Sequence, residues 1–144
     1  MGAGVPVSLA FTVEGRPVPK GRPRFGNGHA YTPAKTRAYE NAVQWAAAAQ
    51  LAGKPCPAHP QGDVKLTVLA YLFGKAPPDM DNIVKAISDA LNGIAYSDDR
   101  QVAWIDARRI ACKRIEQRVE VRIEMLNAAP DAVIAEIVET LEVA

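Results

Sequence analysis

Cysteine and histidine are scarce in this 144-residue chain, which contains two of each. Cys56 and Cys112 stand far apart, without the paired spacing that marks zinc ligands or a disulfide framework. Isolated thiols are typical of proteins kept in a reducing compartment, so the sequence predicts a cytoplasmic protein.

Long apolar runs are absent as well. Although 49% of the residues are hydrophobic, no stretch approaches the ~20 apolar residues that a membrane-spanning helix needs. The start of the chain, MGAGVPVSLAFTV, lacks the positively charged region of a signal peptide. Length and composition predict one soluble globular domain over residues 1–144, with residues 130–144 as a C-terminal helical extension.

Two familiar ligand-binding loops are missing. The chain has no G-x-x-x-x-G-K-[ST] loop, which counts against nucleotide binding. Its acidic stretch has neither the sixth-position glycine nor the twelfth-position glutamate of an EF-hand, which excludes that calcium motif. The acids of the chain therefore need a different explanation.

The net charge of +1 conceals an uneven distribution of charge. Residues 131–144 contribute four acids and no base, and residues 79–99 contribute five aspartates and one lysine. The rest of the chain holds 16 Lys and Arg against 7 Asp and Glu, a net charge of +9. An acidic site in a basic body suits a metal-dependent nuclease, because basic side chains bind phosphates while acids bind the cation.

The five aspartates of this stretch lie too close together to serve only solubility. They are Asp79, Asp81, Asp89, Asp98 and Asp99. Crowded like charges raise one another's pKa values and repel, a cost that a fold accepts when a cation binds. Oxygen ligands without nearby histidine or cysteine favour Mg²⁺ or Mn²⁺ over zinc. The sequence therefore predicts a divalent-metal carboxylate site.

Residue spacing places these acids on defined sides of the predicted elements. Asp79 and Asp81 are two residues apart, so both point to the same side of an extended segment. A helix with apolar residues at helical spacing follows, and Asp81, Lys85 and Asp89 share one face of it. A loop then leads to the last two aspartates of the stretch. Three of the acids are thus expected to meet at one end of a sheet, with the lysine one turn along the helix.

Each of these residues also has an ordinary structural explanation. Asp79 or Asp81 would cap the helix, and Lys85 would be a solvated i+4 partner of Asp81. Asp98 and Asp99 would be turn residues. A metal site explains all of them at once, whereas the structural explanation has to account for every acid separately.

The acidic motif, Asp-x-Asp-Asn-x-x-Lys, then Asp-Ala-Leu, then Asp-Asp-x-Gln-Val, runs from Asp79 to Val102. Its order, residue types and spacing resemble those of the RusA family of Holliday-junction resolvases, which prophages often carry. The basic, proline-rich segment GRPVPKGRPRF at residues 15–25 is also similar to the entry segment of that family.

The resemblance implies an activity and a set of site residues. Asp79, Asp81 and Asp99 are implied to be the metal-binding catalytic acids, and Lys85 the essential lysine. The implied cofactor is Mg²⁺, for which Mn²⁺ substitutes, and the implied substrate is a four-way DNA junction. The implied homodimer nicks two opposed strands across that junction, in DNA recombination and repair.

Residues 14–30 are predicted to be a Gly/Pro-rich loop that binds DNA. Lys20, Arg22 and Arg24 would contact phosphates, and Phe25 would stack on a base or wedge against it. Asn82, the amide of the acidic motif, completes the predicted DNA-binding set. The alternative is a solvated loop that its prolines keep stiff.

The predicted order of elements is β-α-β-α-β-β-α, an α+β domain with a mixed sheet and helices packed against it. The first strand, first helix and second strand are expected at residues 7–13, 33–51 and 64–73. Strands at residues 102–115 and 118–126 are predicted to form an antiparallel hairpin, because the second alternates apolar and charged residues. Residues 130–141 are predicted to form a terminal helix.

Two other classes of function remain open. If the acids bind metal only for structure, the chain is a DNA-binding module that never cuts. Asp-x-Asp alone would equally suit a small metal-dependent phosphotransferase, although the missing phosphate loop counts against it. For the nuclease, the predicted chemistry is metal-assisted hydrolysis of a phosphodiester.

Overall fold

A four-stranded mixed sheet with two helices against it forms the body of the protein. The computed structural model describes residues 7–21, 24–26, 28–31, 33–53, 62–126 and Leu141. In chain order the elements are β1 (Val7–Glu14), β2 (Arg24–Gly26), β3 (His29–Tyr31), α1 (Ala34–Leu51), β4 (Val64–Leu72), α2 (Met80–Ala90), β5 (Val102–Ala111) and β6 (Arg118–Met125). The predicted α+β class is confirmed.

Strand β4 is the centre of the main sheet, whose strand order is β1-β6-β4-β5. Alternate residues along β4 from Val64 to Leu72 are buried, so one face of this strand points into the core. Strand β5 is parallel to β4, and α2 forms the crossover that parallel neighbours require. Strand β6 is antiparallel to both β1 and β4.

The predicted hairpin between β5 and β6 is wrong, because β4 lies between them. The alternation in β6 does bury Val119, Val121 and Ile123. Alternation specifies which face of a strand is buried, however, and not which strand lies beside it. Strand β6 fills the position between β1 and β4, where Ile123 pairs with Leu9 and Leu66. Strand β5 is exposed along most of its length and forms the edge.

The core lies between the main sheet and the two helices. Val43 and Ala47 of α1 are fully buried, as are Ile83 and Ile87 of α2, and all four belong to one cluster with Leu66 of β4. Full burial of a side chain such as valine or isoleucine stabilises the fold by about 1.5–3 kcal/mol. This packing fixes how α2 is turned, so the charged residues of the acidic motif lie on its outer side. None of the helices in the described ranges has the length and apolar character needed to cross a membrane.

The segment predicted as a loop at residues 14–30 contains a short β-hairpin. Strands β2 and β3 pair antiparallel, with Phe25 opposite Ala30. Gly28, between the strands, has a φ of 78°, in the left-handed region that favours glycine. The glycines that suggested an open loop thus include one that serves the turn of a hairpin.

The end of α1 agrees with the helix predicted at residues 33–51. The helix ends at Leu51, and Ala52 and Gly53 both have the positive φ typical of a helix C-terminus. Most of the predicted helix at residues 130–141 lies outside the described residues; of that range, Leu141 alone is described and is helical.

Candidate metal and DNA-binding site

Helix α2 carries the first half of the acidic motif at its N-terminal end. Asp79 occupies the N-cap position, with an extended backbone, and Asp81 lies in the first turn. Both residues are exposed, and the side chain of Asp79 accepts no capping hydrogen bond. Helix capping therefore does not account for Asp79.

The second half of the motif follows the C-terminal end of α2. A short 3₁₀ turn, Asp99–Gln101, begins directly after Asp98. The backbone N–H of Arg100 donates to Asp98 Oδ1 at 2.9 Å, so Asp98 caps this turn. The structural explanation thus holds for Asp98, whereas this capping role does not extend to Asp99.

Gln101 fixes the 3₁₀ turn to the rest of the fold. Its Oε1 accepts from the backbone N–H groups of Ser97 at 2.8 Å and Asp98 at 3.2 Å. Its Nε2 donates to the carbonyl of Gly62, just before β4, at 2.8 Å. The hydroxyl of the fully buried Tyr96 donates to a carbonyl of α2 at 2.7 Å. The segment that carries Asp99 is therefore held against both α2 and β4.

Asp99 has the electrostatic environment expected of a cation ligand. Burial raises the pKa of its carboxyl, and the carboxylates of Asp98 and Asp89 raise it further. The pKa of Asp98 is instead lowered, chiefly by the backbone N–H of Arg100. A cation bound at Asp99 would relieve the repulsion among these acids.

The two halves of the acidic motif lie at opposite ends of α2. Asp81 and Asp89 are eight residues apart, which at ~1.5 Å per residue separates them by roughly 12 Å along the helix. Asp99 lies beside Asp89, at the far end from Asp79 and Asp81. Within the described parts of the chain, no three His, Cys, Asp or Glu side chains lie close enough together to hold a metal ion. The carboxylate oxygens suit a hard cation, but one copy of the chain does not gather them as expected.

Two lysines contact Asp89, one at each carboxylate oxygen. Lys85 Nζ lies 3.6 Å from Asp89 Oδ1, and 62% of its side chain is exposed. Lys20 Nζ lies 3.3 Å from Asp89 Oδ2 and donates to Glu40 Oε2 at 2.7 Å. Burial lowers the pKa of Lys20, but the hydrogen bonds to Glu40 and Asp89 outweigh it, so the pKa is raised. Lys85 is open to a substrate, whereas Lys20 faces carboxylates of its own chain.

The other predicted DNA-binding residues belong to the hairpin and to α2. Phe25 in β2 is 81% exposed, and Asn82 in α2 is exposed as well. Arg24 lies in β2, and Arg22 lies outside the described residues. The backbone N–H of Lys20 donates to the carbonyl of Asn82 at 2.8 Å. The basic N-terminal segment and the acidic motif are therefore adjacent in space.

Two supporting residues were missed from the sequence. Glu40 lies on α1, and no local pattern connects it with Lys20, which is twenty residues away. Gln101 is 8% exposed and holds the turn before β5. Its place in the Asp-Asp-x-Gln-Val motif was the sequence signal that could have identified it. Long-range pairs of this kind need a tertiary structure to be seen.

Comparison with known proteins places the chain in a class of enzymes. A family model described as endodeoxyribonuclease RusA matches residues 14–124, a range that contains every candidate site residue. The class is therefore that of DNA-cleaving nucleases. The chain belongs to the RusA endodeoxyribonuclease family. The curated relative "Uncharacterized protein YqaN" of Bacillus subtilis (strain 168) is 32% identical over 141 residues, which cover 83% of this chain and 98% of YqaN.

Proposed function

We propose that this protein is a Mg²⁺-dependent, structure-selective endodeoxyribonuclease that resolves four-way DNA junctions by paired nicks. Its role would be in DNA recombination and repair, in the cytoplasm. The observation that carries the proposal is the complete acidic motif, with Asp99 beside two further acids, inside the match to the RusA family. Acids arranged in this way, in a chain whose other residues carry a net positive charge, suit the cleavage of a polyanion.

The acidic motif divides into ligands and one cationic group. Asp79, Asp81 and Asp99 would hold Mg²⁺, and Mn²⁺ would be able to take its place. When bound, such a cation supplies Lewis-acid activation of water and of the scissile phosphate. The exposed ammonium of Lys85 would stabilise the negative charge that develops on the phosphate.

A homodimer accounts for the separation of the two halves of the motif. In such a dimer, a two-fold axis would relate the two copies and their α2 helices would run antiparallel. Asp79 and Asp81 of one copy would then lie beside Asp99 of the other. Such a dimer would contain two equivalent sites. Two sites are what paired nicks on two opposed strands require.

The N-terminal segment would supply contacts with DNA beyond the reacting phosphate. Phe25, exposed on the hairpin, would stack on an unpaired base or wedge into the open centre of a junction. Arg22 and Arg24, which precede it in sequence, would bind phosphates, and the side-chain amide of Asn82 would donate to the DNA backbone beside the acids.

The decisive experiment compares three substrates. A labelled four-way junction, a linear duplex of the same sequence and a nucleotide are each incubated with Mg²⁺ and with EDTA. The expected result is symmetrical nicks in the junction alone, and only with Mg²⁺. Junction binding without cleavage under any metal would identify a non-cleaving DNA-binding module, and transfer of a phosphoryl group would identify a phosphotransferase.

A further inference from the structure

Four charged side chains of alternating sign connect α1 to the exposed side of α2. In order they are Glu40, Lys20, Asp89 and Lys85. The nitrogen–oxygen distances along this chain are 2.7, 3.3 and 3.6 Å. Lys85 is the lysine of the acidic motif, so the series ends at a group proposed to act on the phosphate.

The position of Lys20 is fixed by its backbone as well as by its ammonium group. The N–H of Lys20 donates to the carbonyl of Asn82 at 2.8 Å, and the N–H of Gly21 donates to Thr36 Oγ1 at 3.1 Å. A Cβ atom at Gly21 would lie 3.0 Å from Thr36 Oγ1 and 3.1 Å from Cγ of Pro33. Because the loop approaches α1 this closely, Lys20 is held between the two helices.

Partial burial of its side chain distinguishes Lys20 from a lysine that binds phosphate at a surface. The side chains of Lys20, Glu40 and Asp89 are 22%, 16% and 22% exposed, against 62% for Lys85. Two carboxylates share the single ammonium of Lys20. Removing it would leave their like charges close together in a partly desolvated place. A DNA phosphate would have to displace one of these carboxylates to reach Lys20.

Asp89 is the point at which this series of charges meets the site. Its Oδ2 is held by Lys20, its Oδ1 faces Lys85, and its carboxylate lies beside Asp99. Contacts at both oxygens restrict the rotation of this carboxylate, so losing Lys20 would free Oδ2 and loosen the position of Oδ1. Partners that act in this way on metal or catalytic groups commonly change activity by ~10–100-fold when they are removed.

We propose that Lys20 is a positioning residue of the nuclease site: it holds Asp89, and Asp89 in turn orients Lys85 and faces Asp99. This inference rests on the proposed function. It gives Lys20 a role within the protein in place of the phosphate contact expected from the sequence.

The test uses three variants of the series and one matched control. Lys20→Met removes the ammonium, and Lys20→Arg keeps a cation. The double variant Lys20→Met/Glu40→Gln removes the ammonium together with one acid that it neutralises, so the fold is retained even where the single variant unfolds. The control Lys35→Met removes an exposed lysine in the first turn of α1.

The expected result separates cleavage from binding. Single-turnover cleavage of bound junction in Mg²⁺ falls at least ~10-fold for Lys20→Met and for the double variant. Junction affinity in Ca²⁺ stays within roughly 2-fold, and the slope of log K against log salt matches that of the control. Lys20→Arg recovers most of the rate, and Lys35→Met cuts at the wild-type rate. In an Asp89→Asn background, Lys20→Met lowers the rate no further, because its effect passes through Asp89.

Three outcomes would overturn the inference. One is an unchanged cleavage rate in the double variant. Another is weaker binding with a slope lower by ~0.9, which would mean that Lys20 contacts a phosphate. The third is an additive effect of Lys20→Met and Asp89→Asn.

Failure of the proposed function has a different signature, since wild-type protein would then cut no junction at all. Urea unfolding of the same Lys20 and Asp89 variants still measures their coupling in the free protein, so the contact itself is tested independently of catalysis.

Discussion

The two ends of α2 carry acids of the same motif in opposite surroundings. At the N-terminal end, no hydrogen bond or ion pair of the described residues engages the carboxylates of Asp79 or Asp81. At the C-terminal end, Asp89 is held by two lysines and Asp99 is crowded by two acids. The C-terminal end is thus prearranged by its own chain, whereas at the N-terminal end the described residues leave both carboxylates open to a ligand or a second copy. We infer that a ligand or a second copy orders the acids at the N-terminal end of α2, whereas folding alone has already ordered those at the C-terminal end.

Removing one acid from either end gives the largest expected effect. Asp99→Asn and Asp81→Asn each keep the shape of the side chain but lose the charge that a hard cation needs. Cleavage should fall at least ~100-fold, beyond the range for indirect partners of a metal site. Junction affinity should stay equal or rise slightly, because one repulsive charge is gone. The measurement pairs a gel-shift titration in Ca²⁺ with single-turnover cleavage in Mg²⁺.

Cleavage by Asp99→Asn at the wild-type rate would show that Asp99 is not a ligand. Joint loss of binding and cleavage would instead assign it a structural role.

Mixing the two inactive variants tests whether the ends of α2 meet across a dimer. In a mixed dimer of Asp81→Asn and Asp99→Asn copies, one shared site carries both substitutions and the other carries neither. After unfolding and refolding in equal amounts, about a quarter of the wild-type number of sites should be intact, because half of the dimers are mixed. The measurement is the rate of single-strand nicking of the junction.

If each site lies within one copy of the chain, every site in the mixture carries one substitution. No activity then returns, and the dimeric arrangement of the acids is wrong.

Asp98→Ala separates the two neighbouring aspartates at the C-terminal end. It removes the hydrogen bond from Arg100 N–H and should lower the unfolding free energy slightly, because the capped turn is short and Asp98 is exposed. Its cleavage rate should fall far less than that of Asp99→Asn, because the proposed ligand is still present. Urea unfolding and the cleavage assay on the same preparation check both parts. Equal losses of rate for the two variants would mean that the acids share one role.

The smallest effect concerns the pH range over which Lys20 stabilises the fold. Its pKa is raised above the ordinary value of 10.5, so its contribution is fully present below that pH and is lost as pH rises through the folded-state pKa. The difference in unfolding free energy between wild type and Lys20→Met should be constant at neutral pH and shrink above pH 10.5. Urea unfolding at a series of pH values checks this. A difference that shrinks already near neutral pH would contradict the raised pKa.

Local patterns in the sequence predicted the elements of the main sheet and both helices, but not the β2–β3 hairpin and not all of the strand neighbours. Helix α2 follows from its apolar spacing, and β6 from its alternation. The pairing of β6 with β1 does not follow from such a pattern, because β1 lies about a hundred residues earlier in the chain.

The candidate site shows the same limit. The motif identified all five aspartates and Lys85, but not their division between the ends of α2. Lys20 was predicted to bind phosphate because basic residues surround it in sequence. Its contacts with Glu40 of α1 and Asp89 of α2 depend on how the loop folds onto both helices, which no local pattern contains.

The parallel pairing of β4 and β5 explains the length of the motif itself. Val64 pairs with Val102 and Leu72 with Ala111, so the connection must travel back along the full length of β4, roughly 30 Å at ~3.3 Å per residue. The interval between Asp79 and Asp99 is therefore set by the size of a sheet rather than by the size of a cation. Insertions into α2 would rotate one acid group away from the other, whereas insertions between β4 and α2 would lengthen a loop. A search for related chains should accordingly hold the helical interval fixed and let the preceding loop vary.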